Sequence, residues 1–416
     1  MEVIIPFCAG LDVHRSVIVA CAMWSVGRRL RKETASFGST ANGLAELAAW
    51  LKRHGVTHVA MESTGVYWMP VYAALEEAGG LALTVVNPQH VKAISGRKTD
   101  VKDAEWLAQL LRHGLLRNSF VPPKPIRDLR DLTRYRRTLI EAQSSERNRL
   151  IKLLEATGVK LAGVVSDVFG VSGRAMLRAL IAGEEPPAAM AKLARGRLRK
   201  KDAQLTEALA GRLEPHHRDL LAMQLARVDG AEADIAALDL KVAERLAPYQ
   251  DKVALLITIP GVDWVTAAII VAETGLDMSV FPSAKHLAAW AGVCPGNNES
   301  GGKRKPAGTR KGNPYLKTAL ANAAIGASRR RGSYLKAKYY KLKVRRGGGR
   351  AALAIAHKLL VYVYHILSNG TPYADLGEAY LEQRNLERAT QNHVRHLEAL
   401  GYSVTLQRPE PTAEAA

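Results

Sequence analysis

Cysteine is scarce: the 416 residues hold three, Cys8, Cys21 and Cys294. They are scattered, odd in number and form no Cys-x-x-Cys pair. Neither a zinc ribbon nor a disulfide framework is supported, and a reduced, cytoplasmic protein is expected. Long uncharged apolar runs are also missing. No window of about 18 apolar residues runs without a charge, which argues against a membrane span. The first residues, MEVIIPFCAGLD, lack a basic leader followed by a small-residue cleavage site, so secretion is not expected. No convincing internal repeat is present. The last scarcity is local: residues 296–350 carry 16 Lys and Arg and a single acid, Glu299.

What is present sets the class. A hydrophobic fraction of 47% excludes a wholly disordered chain, and the length suggests two to four domains. The formal net charge is +20. It points to a polyanionic partner, with nucleic acid first and an anionic membrane second. The charge is unevenly placed. Residues 1–110 hold 11 Lys and Arg against 10 Asp and Glu, whereas residues 111–160 hold 12 against 5. A near-neutral front and a basic back suggest chemistry in front and phosphate contact behind. A generally basic, solubility-driven surface is the plainer alternative.

Residues 7–13 (FCAGLDV) and 17–24 (VIVACAMW) have the β-branched, turn-bounded character of strands, joined at His14-Arg15-Ser16. Residues 33–38 give a third strand. Thr40 can cap a helix over 41–53, where Leu44, Leu47, Ala48 and Leu51 recur at helical spacing. A strand at 57–62, a helix at 67–78, a strand at 81–86 and a helix from Thr99 or Asp100 to about 113 follow. The order β-β-β-α-β-α-β-α is that of the ribonuclease H topology. A plain doubly wound domain would lack the opening hairpins.

Pro122, Pro123 and Pro125 read as a linker before a long charged helix over 126–157. Helical pieces follow at 161–183, 203–213 and 216–247. In the last, Leu221, Leu225, Val228, Ile235, Val242 and Leu246 form a seam that suits a coiled coil, a helical hairpin or an intramolecular bundle. Residues 251–330 make a second compact unit, with a Gly/Pro/Asn-rich loop at 292–314. A basic run with interleaved Tyr334, Tyr339 and Tyr340 follows at 329–350, then an apolar helix at 351–368 and a loose tail past about 405. The expected domains are 1–122, 123–250, 251–370 and 371–416.

Four carboxylates stand out in front. Asp12 ends the first strand, Glu62 ends the strand at 57–62, and Asp100 and Asp103 share one helix face. In a ribonuclease H topology these places converge at one end of the sheet. Clustered carboxylates ionise together only with a cation between them, and hard oxygen ligands suit Mg²⁺ or Mn²⁺. Two such ions can activate a hydroxyl and stabilise the leaving oxygen of a phosphodiester. Taken singly, each acid reads as a cap or a solvated residue, Asp100 above all. Lys98 and Lys102 flank the pair and could hold DNA or stay solvated.

Gly10-Leu11-Asp12-Val13-His14, Met61-Glu62-Ser63-Thr64-Gly65 and Lys98-Thr99-Asp100-Val101-Lys102-Asp103-Ala104 carry a family resemblance. They look like the DEDD-type transposases and invertases, the Piv-like group with its insertion-sequence members of the IS one-ten and IS eleven-eleven type. The second unit resembles the C-terminal domain of the same family through Ile259-Pro260-Gly261-Val262, Phe281-Pro282-Ser283, Trp290-Ala291-Gly292-Val293-Cys294-Pro295, Glu299-Ser300-Gly301-Gly302 and Lys311-Gly312-Asn313. The resemblance implies a RuvC-like domain with Asp12, Glu62, Asp100 and Asp103 as its acids, a long helical or coiled-coil middle, and a mainly α C-terminal transposase domain. It also implies a bridge RNA that pairs with target and donor DNA, a homo-oligomer (dimer or tetramer), and Ser300 as the nucleophile that forms a phosphoserine link.

That chemistry is sound from first principles. A serine hydroxyl needs activation, which metal-bound acids can supply. Gly301 and Gly302 would let the backbone approach a phosphate. Lys303, Arg304, Lys305, Arg310 and Lys311 would hold neighbouring phosphates, as would Arg329, Arg330, Arg331, Lys336, Lys338, Arg345 and Arg346 further on. Without the resemblance, a serine in a Gly-rich basic loop is more often a backbone contact, with Ser283 and Thr309 as fallback nucleophiles. His357 and His365 suit packing or RNA contacts. Residues 258–274 also resemble a helix-hairpin-helix backbone reader, although Asp263 replaces its usual second glycine; a Gly-containing helix entry is the alternative.

The leading expectation is thus an RNA-guided transposase of an insertion sequence. A metal-dependent, junction-resolving nuclease and a non-catalytic nucleic-acid-binding protein are the rivals. The intact acid set argues against the last.

Overall fold

The structure is a computed structural model that describes residues 2–27, 29–93, 103–296, 299–304 and 308–407. The chain divides into two compact units, Met1–Val121 and Pro122–Ala416.

The first unit contains β1 (Phe7–Val13), β2 (Val17–Val26), β3 (Arg29–Gly38), α1 (Ala41–Arg53), β4 (His58–Glu62), α2 (Trp68–Ala78), β5 (Ala82–Val86), α3 (Pro88–Ala93) and α4 (Asp103–Arg112). The sheet order is β3-β2-β1-β4-β5. The first three strands form an antiparallel meander, and β4 and β5 add parallel to β1 through helical crossovers. This mixed sheet fits the RuvC-like kind. The third strand starts four residues earlier than its composition indicates. Arg29-Leu30-Arg31-Lys32 has no apolar face, yet it pairs with Met23–Val26 at an exposed sheet edge.

The alternation along β1 divides its side chains between two cores. Ala9, Leu11 and Val13 pack with Leu44, Leu47, Leu51, Val71 and Leu75 of α1 and α2. Cys8 faces the other way, with Cys21, Met23 and Ala60, against Ala104, Ala108 and Leu111 of α4. Burial pushes the Cys8 thiol up to about 11 and raises that of Cys21, so both are inert core thiols. Thr40 caps α1 as expected, its hydroxyl accepting from Gly43 N at 3.5 Å.

Gly10 fixes how α4 lies on the sheet. A Cβ there would sit 2.2 Å from Ala104 O and 2.5 Å from Ala108 N, so only glycine admits the helix backbone. Cys8 Sγ donates to Ala108 O at 3.5 Å, and Ile4 and Ile5 N donate to Arg112 O at 3.0 Å. The helix therefore runs antiparallel to β1 and brings its N-terminal residue, Asp103, to the end of the sheet where β1 finishes.

The second unit is helical: α5 (Lys124–Ala156), α6 (Leu161–Val164), α7 (Val171–Ala182), α8 (Pro187–Ala191), α9 (Asp202–Leu209), α10 (Pro215–Leu246), α11 (Gln250–Ile257), α12 (Trp264–Thr274) and α13 (Ala284–Trp290). A two-stranded ribbon, β6 (Glu299–Ser300) and β7 (Lys303–Arg304), precedes α14 (Pro314–Ala327), α15 (Tyr334–Arg346), α16 (Gly348–Asn369) and α17 (Tyr380–Ala399). Pro125 lies inside the first turn of α5, where its missing N–H costs nothing, so the helix begins ahead of the expected residue 126.

Helices α5 and α10 pair within the chain. Leu221, Leu225 and Val228 join Leu150 and Leu154 in a core with Met176, Leu177 and Leu205, so the N-terminal half of the α10 seam packs within the chain. Ion pairs tie α5 and α7 to α10: Arg136 Nε to Asp239 at 2.5 Å, and Arg147 and Arg174 both to Glu232 at 2.6 Å. Helix α16 is long and apolar enough to cross a membrane by length and composition, but half of that window is buried in this unit.

Candidate active site and nucleic-acid interface

Parallel pairing brings two of the four acids together. The register aligns Gly10 with Ala60 and Leu11 with Met61, so Asp12 and Glu62 are the next residues on neighbouring strands. Side chains aligned in this way project from the same face. Leu11 and Met61 point into the α1/α2 core, so Asp12 and Glu62 lie on the α4 side. Both are half-buried, and Asp103 at the start of α4 is exposed. Asp100, Lys98 and Lys102 lie outside the described residues. Among the described residues, no three His, Cys, Asp or Glu side chains gather to hold a metal ion.

One neighbour of this site escaped the sequence reading. His14 Nε2 lies 3.0 Å from Asp12 Oδ2. The hairpin that follows β1 returns His14 to the acid it follows by two residues, with His14 N bonded to Val17 O at 3.0 Å.

Ser300 occupies the tip of a ribbon. It pairs with Lys303, and Glu299 pairs with Arg304. Gly301 and Gly302 form the two-residue turn between them, with φ of +58° and +73°. Two successive positive φ values are the mark of a primed hairpin turn, which selects glycine. The turn, rather than close approach to a phosphate, is thus a sufficient reason for both glycines. The backbone alone is described for Ser300 and Arg304, and Lys305 lies outside the described residues.

The ribbon is clamped at its base. Pro295 bridges Thr309, and Gly296 N donates to Gly308 O at 2.8 Å. Below that, Gly292 and Gly312 pack backbone to backbone. A Cβ on Gly312 would meet Gly292 N at 2.4 Å, and one on Gly292 would meet Arg310 O at 2.8 Å. Of the fallback nucleophiles, the Ser283 hydroxyl pairs with His286 Nδ1 at 2.9 Å, and Thr309 Oγ1 accepts from Lys317 Nζ at 2.6 Å.

A buried ion cluster holds this clamp, and the sequence reading missed it. Glu273 on α12 is fully buried and accepts both Nε and Nη2 of Arg134 at 2.8 Å. Asn313 Nδ2 donates to the same carboxylate at 2.6 Å, while Asn313 Oδ1 caps α14 through Tyr315 N and Leu316 N. Arg130 donates to the Ala272 and Glu273 carbonyls at 3.0 and 2.9 Å. Burial pushes its guanidinium down to about 10. The available signal was a single acid inside the apolar run WVTAAIIVAET, since a buried carboxylate needs partners.

The Gly261 turn is a helix entry. A Cβ on Gly261 would sit 2.1 Å from Ala323 O, because α14 crosses it there. Asp263 caps α12 by accepting from Thr266 N at 2.8 Å. Packing against α14 alone accounts for this glycine, which favours the helix-entry reading of the turn.

The expected nucleic-acid contacts differ from the paired arginines of α5, α7 and α10. Lys303, Arg310, Lys311, Arg329, Arg330, Arg331, Arg345 and Arg346 are exposed, and Lys336 and Lys338 are half-buried. None makes an ion pair with a described carboxylate, so their charge is available to a polyanion. The tyrosines separate. Tyr334 is buried against Tyr380 and beneath Lys338, so it belongs to the core, whereas Tyr340 is exposed on α15. Burial, with Lys358 and Lys338 nearby, holds half-buried His357 below its usual range, and His365 is exposed.

Comparison with known proteins bears on both units. Residues 9–158 match a profile of DEDD-type IS110 proteins described as transposase. Residues 253–341, which include the ribbon, match a profile described as transposase, IS116/IS110/IS902 family. A curated relative, the probable family 20 transposase of Pseudomonas aeruginosa, is 26% identical over 326 residues, spanning 76% of this chain and 85% of the relative. The two profiles fall on the sheet with its carboxylates and on the clamped serine ribbon, in that order along one polypeptide, and together they make the chain a transposase of the IS110/IS116 family.

Proposed function

We propose that this transposase cuts and rejoins DNA with a metal-binding acid set, Asp12, Glu62, Asp100 and Asp103, and with Ser300 as the nucleophile. The observation that carries the reading is the joint placement of Asp12 and Glu62 on one face at the same end of adjacent parallel strands, with the Asp103 end of α4 drawn there by Gly10. Partly exposed carboxylates in that position fit a hard divalent ion, Mg²⁺ or Mn²⁺. Such an ion, when bound, would lower the barrier by stabilising charge on the phosphate oxygens.

Ser300 supplies the exchange step. Its hydroxyl oxygen bonds to the scissile phosphorus as one phosphorus–oxygen bond to deoxyribose breaks. The serine proton is lost and the released sugar oxygen gains one. The number of phosphoester bonds is conserved, so rejoining to another strand needs no external energy source. Lys303, which pairs with Ser300 in the ribbon, would hold the flanking phosphate. The exposed cations of residues 303–350 and Tyr340 provide the phosphate grip and stacking face that a noncoding guide RNA and its DNA partners would use. Two DNA partners require more than one protomer, so a homo-oligomer completes the reading.

Metal removal tests it. DNA carrying the element ends, with RNA transcribed from its flank, should be cut in Mg²⁺ and left intact in EDTA, with DNA binding retained in both. Cutting that persists in EDTA would exclude the acid set as a metal site.

A further inference from the structure

A cavity of about 710 Å³ opens at the base of the serine ribbon. That is the size range of built ligand sites. Its apolar wall is formed by Val293 and Pro295 of the ribbon base and by Leu342 and Leu353 of α15 and α16. Arg345, Arg346 and Arg350, at the corner where α15 turns into α16, complete its rim. These arginines are exposed and make no ion pair with a described carboxylate, unlike Arg136, Arg147 and Arg174.

We infer that this cavity receives a single unpaired nucleotide of the DNA being cut, with its base against the apolar wall and its phosphates on the arginines. The inference rests on the proposed function for its choice of DNA. The size, the apolar wall and the exposed arginines match a base with its attached phosphates. The chain sets how close to the cut that nucleotide lies. Pro295 lines the cavity, and Ser300 is five residues further on, at most about 17 Å of extended backbone. Successive nucleotides of one stacked strand advance about 3.4 Å along the helix axis, so the captured nucleotide is within roughly five positions of the one Ser300 meets. An extruded base would also fix the register of the scissile phosphate against the ribbon tip. Simple phosphate gripping by the rim arginines would need no apolar floor.

The test uses full-length Ser300→Ala protein, so that no strand is consumed. Its affinity is compared by fluorescence anisotropy for a fluorescein-labelled 30-base-pair DNA duplex, the same duplex with one unpaired central nucleotide, and the RNA duplex with the same bulge. The bulged DNA should bind about tenfold tighter than paired DNA, because the cost of unstacking is already met. Ala354→Trp, which fills the cavity, should reduce bulged DNA to the affinity of paired DNA. A second readout needs no cavity variant: 2-aminopurine at the bulge should change its emission on binding as the base leaves the stack. Equal affinity for bulged and paired DNA, an intact preference in Ala354→Trp, or a larger preference for bulged RNA would overturn the inference. Failure here leaves the serine chemistry untouched, and failure of the serine chemistry leaves this binding preference readable.

Discussion

Replacing Asp12 with asparagine should lower DNA cutting by on the order of 10³-fold or more while the protein remains folded. The side chain keeps its shape and loses its charge. It stands half-buried near the end of β1, and its carboxylate pairs with the imidazole of solvent-exposed His14. A partly exposed pair of this kind contributes little to stability, about 0–1 kcal/mol. The thermal midpoint should therefore hardly move, and DNA binding, which the proposal assigns to cations of the second unit, should persist. Cutting at wild-type rate by Asp12→Asn would remove this residue from the site, whatever the fold.

The second large effect is structural. Glu273→Ala should destabilise the helical unit by about 3–5 kcal/mol, the usual consequence of removing one partner from a buried ion cluster. Arg134 would lose both of its bonds to the carboxylate, and Asn313 would lose the partner that fixes its amide while it caps α14. Denaturant unfolding followed by tryptophan fluorescence should show the loss directly through Trp264 and Trp290, which flank the cluster in sequence. The ribbon joins α14 through Gly312 and Asn313, so a milder variant, Asn313→Ala, should loosen the serine ribbon at lower cost in stability. A loss below about 1 kcal/mol for Glu273→Ala would mean the cluster is not a lock.

The sheet was legible because its signals are local. FCAGLDV carries apolar residues for both faces of a central strand, and Thr40 with Leu44, Leu47 and Leu51 announces α1. The acids at strand ends followed from the topology. What the sequence concealed depends on contacts between distant segments. Gly10 looks like any strand glycine until α4 is laid across it at Ala104 and Ala108. Gly261 left a backbone reader and a helix entry open, and its need for glycine comes from α14, which packs against it. Gly301 and Gly302 were read for phosphate approach, and the hairpin turn they form was not seen. Tyr334 and Tyr340 share one basic run, yet the first is buried and the second exposed, a difference set by where α17 lies and invisible in the local pattern. Glu273 was overlooked because its partners come from α5 and from the end of the ribbon, over a hundred residues before it and forty after.

The serine assignment is tested most directly by trapping. Protein, element-end DNA, guide RNA and Mg²⁺ are combined, the mixture is denatured, and the protease-digested covalent complex is mapped by mass spectrometry. The acid-and-serine reading predicts a nucleotide phosphate attached to Ser300, absent from Ser300→Ala and from Asp12→Asn. Recombinant DNA formed by Ser300→Ala, or a DNA adduct on any other residue, would contradict it.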